Sequence, residues 1–123
     1  MRSESNPSAN LSGSNSQDVM TRDRAARAAA MLQALGNTNR LMVLCSLNEG
    51  EQSVGALNER IPLSQSALSQ HLAKLREEGL VATRRKSQTI YYRIADPIVY
   101  EIIETLYGRY CTREEREREE GRG

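Results

Sequence analysis

The 123-residue chain has no Trp and no Phe, and its five Tyr supply every aromatic ring. Base stacking along single-stranded nucleic acid therefore has little to work with. There is one His, His71, and there are two Cys, Cys45 and Cys111. These three cannot complete a four-ligand structural zinc site in one chain without carboxylates. Two cysteines so far apart are no disulfide framework of the secreted kind either. Long apolar runs are missing as well. The longest are five residues, Ala28 to Leu32 and Leu41 to Cys45, against the ~20 that a membrane helix needs. The first 17 residues contain no apolar segment that a secretory signal would require. These absences point to a cytoplasmic protein without a membrane partner. Nor does one sign of charge dominate, since 17 basic and 16 acidic residues leave a net +1. A uniformly basic nucleic-acid coat is excluded, while local patches are not.

What is present divides into three parts. Residues 1–17 hold six Ser, three Asn, one Pro and one Gly, and read as a disordered arm. Residues 112–123 alternate charges without an apolar face and read as a charged tail. Residues 18–111 remain as one folded domain, near the lower size limit for folding alone.

Within that domain, Ala-rich sequence predicts a first helix from Asp18 to about Leu35, closed by Gly36 as a C-cap glycine. Asn37 or Thr38 can cap a second helix, Asn39 to about Asn48, whose apolar residues surround most of its circumference. Ser53 caps a short third helix, Val54 to Arg60, stopped by Pro62. Ser64 is the natural N-cap of a fourth. In it, Leu68, Leu72 and Leu75 fall within about 60° of one another and form an inward stripe. The opposite face presents Ser66, Ser69, Gln70, Ala73 and Lys74, all small or polar. The segment after Gly79 reads as a hairpin, with Val81 and Thr83 alternating on one strand and Ile90, Tyr92 and Ile94 on the return. Its tip, from Arg84 to Gln88, is basic and polar. Asp96-Pro97 then opens a last helix. The first and last helices both carry apolar stripes too wide for one-sided packing, which implies a partner surface.

A short helix, a turn, a helix with a small polar face and then a basic hairpin form a winged helix-turn-helix. The expected fold is mainly α with a β-hairpin wing, a homodimer through its first and last helices. The fourth helix is shaped to enter the major groove of double-stranded DNA, where Gln and Ser pair with base edges and basic groups hold phosphates. From Ser64 to Arg93 six Lys/Arg face two Glu, a local excess of four positive charges. Gln65, Ser66, Ser69, Gln70 and Lys74 are the expected groove residues. His71, at the border of the apolar stripe, can pack or cap the helix surface or reach a phosphate. Alone, Arg84, Arg85 and Lys86 are an ordinary solvated hairpin; beside a groove-reading helix they read as DNA contacts. Arg40 can pair with a carboxylate of its own domain or hold a phosphate.

The stretch from Leu63 to Arg76, followed by Glu78-Gly79-Leu80-Val81, resembles the recognition helix of the ArsR/SmtB repressors. Ala34 to Leu41 resembles the start of the same family's second helix. The resemblance implies a homodimeric repressor that leaves its operator when an inducer binds. Many members bind metals through a Cys-x-Cys pair at the third helix, where this chain has Ser53 and Gly55. Others use Asp and His on the last helix, where this chain has Asp96, Glu101 and Glu104 and no His. Cys45 and Cys111 remain. Each alone is more ordinarily a small inert hydrophobe. As a pair they resemble the sulfide- and redox-responsive subgroup, which implies switching by reactive sulfur or an oxidant through a disulfide or polysulfide link. A metal- or metalloid-responsive repressor using the same thiols is the alternative. No catalytic group, metal or cofactor is expected.

Overall fold

Every helix begins at a side chain that satisfies one of its own orphan amides. In the computed structural model, which describes residues 19–111 together with 117 and 118, the first helix α1 is Arg22–Leu35 and the Thr21 hydroxyl accepts from the Arg24 N–H. Asn37 does the same for α2 (Thr38–Leu47), Ser53 for α3 (Val54–Arg60) and Ser64 for α4 (Gln65–Glu77). Asp96 caps α5 (Pro97–Tyr110), with Pro97 in the first turn, where a missing N–H costs nothing. The expected arm, 1–17, and most of the expected tail, 112–123, lie outside the described residues.

Three sequence expectations need correction. Helix α1 starts at Arg22 rather than residue 18, because Val19 to Thr21 are not helical and Thr21 supplies the cap. Gly36 has φ −82° and is not a left-handed terminator. Its missing Cβ matters for a different reason, since a Cβ there would come within 3.2 Å of the Leu32 carbonyl oxygen. Arg40 pairs with no carboxylate among the described residues. Its Nε donates to the Ala34 carbonyl at 2.7 Å and its Nη2 to that of Gln33 at 3.2 Å, tying α2 to the electronegative end of α1.

The wing is β2 (Val81–Lys86) and β3 (Thr89–Ile94), antiparallel, with Val81 opposite Ile94 and Lys86 opposite Thr89. The connecting turn is only Ser87-Gln88, and Ser87 adopts φ 57° as a tight hairpin demands. Arg84, Arg85 and Lys86 therefore belong to a strand rather than a loop. A two-residue strand, β1 (Gln52–Ser53), adds to the other edge of β3, giving the order β1-β3-β2. The expected hairpin is thus a three-stranded sheet; two residues are too few to show alternation.

The core lies between α2, α4 and α5 and one face of the sheet. Leu44, Leu47, Leu57, Leu68, Leu72, Leu75, Leu80, Val99 and Ile103 are buried, each contributing about 1.5–3 kcal/mol of apolar burial. The three leucines of the expected α4 stripe are all among them. Asn58 Nδ2 donates to the Leu63 carbonyl at 2.8 Å and fixes the turn between α3 and α4. At the end of α4, Gly79 takes φ +75° and Leu80 N–H returns to the Leu75 carbonyl. That left-handed turn sends the chain straight from the α4 helix into the wing.

Candidate nucleic-acid interface and dithiol site

Burial of Leu68, Leu72 and Leu75 forces the rest of α4 outward. Gln65, Ser66, Ser69, Gln70, Ala73 and Lys74 are exposed, and His71 is half-buried at the border. The structure brings all of the expected groove residues onto one helix surface. The Gln65, Ser69 and Gln70 side chains make no hydrogen bond to any described residue, so their donors and acceptors are free. Ser66 Oγ lies 3.4 Å from Ser64 Oγ. Lys74 stands 3.8 Å from carboxylate oxygens of both Glu77 and Glu78, at the outer limit of ion pairing.

The three basic wing residues are not alike. Arg85 and Lys86 are exposed and carry no ion pair among the described residues. Arg84 is gripped by Glu51: its Nε is 2.9 and 2.8 Å from the two carboxylate oxygens, and its Nη2 is 2.7 Å from Oε1. Its guanidinium also lies 4.9 Å from the centre of the Tyr91 ring. Arg84 thereby holds the Glu51 carboxyl below the usual carboxylate range, and Glu51 pushes Arg84 upward.

Cys45 and Cys111 are half-buried free thiols. Cys45 lies on α2, packed against the core, and Cys111 is the residue that ends α5. The expectation of Cys111 within the last helix thus shifts by one position, to its C-cap. Tyr107 joins them. Its carbonyl accepts from the Cys111 N–H at 2.9 Å, while its hydroxyl donates to the Cys45 sulfur. Burial pushes the Cys45 thiol up, Tyr107 draws it down, and the charges of Cys111 and Glu49 push it up further. Burial wins, so Cys45 stays protonated at neutral pH. Burial, and then Cys45 itself, drive the Tyr107 phenol far above its ordinary range. A cleft of about 430 Å³ opens beside Cys45 and Tyr107, with the apolar Leu41, Met42 and Ile61 in its wall. Glu49 and Arg60, 3.0 Å apart, form its charged side.

The Ser53 hydroxyl is committed to the Ala56 N–H. Among the described residues no group of three His, Cys, Asp or Glu could hold a metal ion, and no helix is long and apolar enough to cross a membrane. Sequence reasoning missed Tyr107, Glu51, Glu49 and Arg60. Only Tyr107 carried a signal, four residues before Cys111 and hence one helical turn below it.

Residues 37–83, from the α2 cap to the middle of β2, match the profile of bacterial regulatory proteins of the arsR family. Over 86 residues the chain is 50% identical to the transcriptional activator HlyU of Vibrio cholerae, spanning 70% of this chain and 80% of that protein. The chain belongs to the ArsR family. A solved structure of HlyU from Vibrio cholerae superposes with a TM-score of 0.71 at 47% identity, covering 75% of this chain and all of that one. Another, described as reduced HlyU, gives 0.69 at 48% identity over 73% and 95% of the two chains. The biofilm growth-associated repressor of Agrobacterium fabrum is 44% identical over 92 residues, 75% of this chain and 79% of that protein. A homodimeric winged helix-turn-helix DNA-binding domain from Mycobacterium bovis matches at TM-score 0.65 and 28% identity, over 78% and 86%. This ArsR-family chain is therefore a DNA-binding transcriptional regulator with the winged helix-turn-helix fold, and its relatives are regulators rather than enzymes.

Proposed function

We propose that this regulator is a cytoplasmic homodimer, paired through α1 and α5, that holds double-stranded operator DNA while Cys45 and Cys111 are thiols and releases it when they are linked. Repression by operator occupancy is the outcome of that arrangement. Two-fold symmetry sets the recognition helices to read half-sites about 34 Å apart. Gln65, Ser66, Ser69, Gln70 and Lys74 address the groove, His71 the backbone beside them, and the wing's Arg85 and Lys86 the flanking phosphates. Arg84 belongs to the wing but is engaged by Glu51. Exposure of Leu32 on α1 and of Ile98, Tyr100 and Tyr110 on α5 supports the pairing surface.

The observation that carries the switch is the nearness of the two thiols, since Tyr107, one turn before Cys111 on α5, bonds the Cys45 sulfur and Cys111 lies close enough to Cys45 for its charge to act on that thiol. With a low-molecular-weight persulfide as oxidant, two Cys thiols and one persulfide molecule give the Cys45–Cys111 disulfide, the free low-molecular-weight thiol and hydrogen sulfide. Two electrons pass from the protein thiols to the persulfide, whose sulfur–sulfur bond breaks and whose two sulfurs take up the thiol protons. Hydrogen peroxide would give the same protein bond and two waters, its O–O bond breaking as it takes up the two electrons and the two thiol protons. Either reaction ties the end of α5 to the core helix that supports α4, and so shifts the spacing of the two reading helices. A cytoplasmic bond of this kind is transient and regulatory. The metal- or metalloid-responsive alternative would use the same two thiols, shared across the dimer, and stoichiometric metal retained by anaerobically purified protein would favour it.

Mass spectrometry after persulfide exposure, paired with DNA binding of each product, tests the reading. Wild type should gain the intramolecular bridge and release DNA, while Cys45→Ser and Cys111→Ser bind DNA and ignore the inducer. Release of DNA by the doubly substituted protein on persulfide exposure would refute it.

A further inference from the structure

The residue before β1 reaches across the sheet to a residue of the wing 33 positions later. Glu51 lies on a fixed base. Its neighbour Gln52 pairs with Tyr92 of β3, and Gln52 Nε2 donates to the Ser46 carbonyl at 2.6 Å in the last turn of α2. From that base the Glu51 carboxylate passes over β3 and takes both the Nε and the Nη2 of Arg84 on β2. Tyr91, opposite Arg84 in the ladder, closes one face of the guanidinium. With its Nε–Nη2 edge taken by a carboxylate that offsets its charge and one face covered by Tyr91, Arg84 is a weaker phosphate ligand than Arg85, although its Nη1 hydrogens stay open. Arg85, the next residue, points to the opposite side of the strand and is unencumbered.

We propose that Glu51 is a positioning residue of the DNA-reading machinery, which clamps Arg84 and so fixes the wing against the end of α2. Arg84 serves the protein, and Arg85 and Lys86 serve the DNA. The clamp gives the wing one height relative to α4, so that groove contacts and phosphate contacts are made together. A loosened wing still attracts phosphates but no longer favours the register in which Gln70 meets its base. The carboxylate has a second effect. It cancels one positive charge close to the backbone, which restrains binding to arbitrary sequence.

The proposal rests on the wing contact assigned above, and the test separates the two. Reduced full-length protein is titrated at several salt concentrations against two duplexes. One is enriched from a random library by the wild-type protein, and the other is of mixed sequence. Arg85→Gln reports the wing contact itself and should flatten the salt slope by about 1.8, the loss of one phosphate contact from each protomer of the dimer. Arg84→Gln should leave the slope unchanged and reduce discrimination between the duplexes about threefold to tenfold. Glu51→Gln should reduce discrimination similarly while steepening the slope, as the freed guanidinium finds a phosphate. Arg84→Lys, which cannot reproduce the two-toothed grip, should recover only part of the discrimination. The clamp is overturned if Arg84→Gln flattens the slope as Arg85→Gln does, or if Glu51→Gln changes neither slope nor discrimination. An unchanged slope for Arg85→Gln removes the wing contact, and the clamp's purpose with it.

Discussion

The outward face of α4 and the cysteine pair of α2 and the end of α5 are built in opposite ways. On α4 the Gln65, Ser69 and Gln70 side chains stand in solvent with no hydrogen bond to a described residue, so an outside partner can take them at no internal cost. At the dithiol both thiols are half-buried, and Cys45 already has a hydrogen bond and a raised pKa. Under the proposed function, a reading surface gains from vacant donors and acceptors, whereas a thiol switch gains from restraint. A thiol that stays protonated reacts slowly with weak oxidants, and the proposed switch would use that restraint. Both regions hang on α2, which packs against α4 and carries Cys45.

That shared support can be broken first. Leu72→Ala removes a side chain only 1% exposed and should cost about 2–5 kcal/mol in urea unfolding. Protection of Cys45 from alkylation and DNA binding should fall together; loss of one alone would mean that the two regions do not share a core. Gln70→Ala sharpens the comparison from the other side. Specific binding should weaken by about 1–3 kcal/mol per half-site, mixed-sequence binding should hardly change, and Cys45 should react as before. Equal losses on both duplexes would remove Gln70 from base reading.

A smaller effect isolates the thiol. In the Cys111→Ser background, Tyr107→Phe deletes the phenol that draws the Cys45 pKa down, a hydrogen bond worth about 1 kcal/mol. Alkylation of Cys45 near pH 8 should slow about fivefold, with DNA affinity unchanged. The pH profile follows from the raised pKa. Alkylation should keep accelerating above the ordinary thiol range of about 8.5. Stability should fall over the same alkaline window, because the unfolded thiol ionises there while the native one does not. A profile levelling off at the ordinary thiol pKa would show that burial does not control Cys45.

The parts legible in the sequence were the local ones. Ser53, Ser64 and Asp96 announce their helices, because a cap and its amide are three residues apart or fewer. The Leu68, Leu72 and Leu75 stripe is a matter of periodicity alone, so the exposed face of α4 followed from it. What stayed hidden depends on contacts between distant residues. Glu51 meets Arg84 across 33 positions and Tyr107 meets Cys45 across α2 and α5; no spacing rule connects them. Arg40 illustrates the same limit within six residues, since backbone carbonyls at the end of α1 are acceptors that no side-chain pattern reveals. The wing arginines looked equivalent as a charge run, and only the strand's alternation and Glu51 separate them.

The central claim is that one covalent bond between the two cysteines controls DNA affinity. Fluorescence anisotropy with the selected duplex, read on one sample when reduced, after conversion to the bridged form verified by mass, and after dithiothreitol, tests it most directly. The bridged form should bind about tenfold to a hundredfold more weakly, within the 1–3 kcal/mol typical of coupled sites, and reduction should restore the original affinity. A bridged protein that binds as tightly as the reduced one would contradict it.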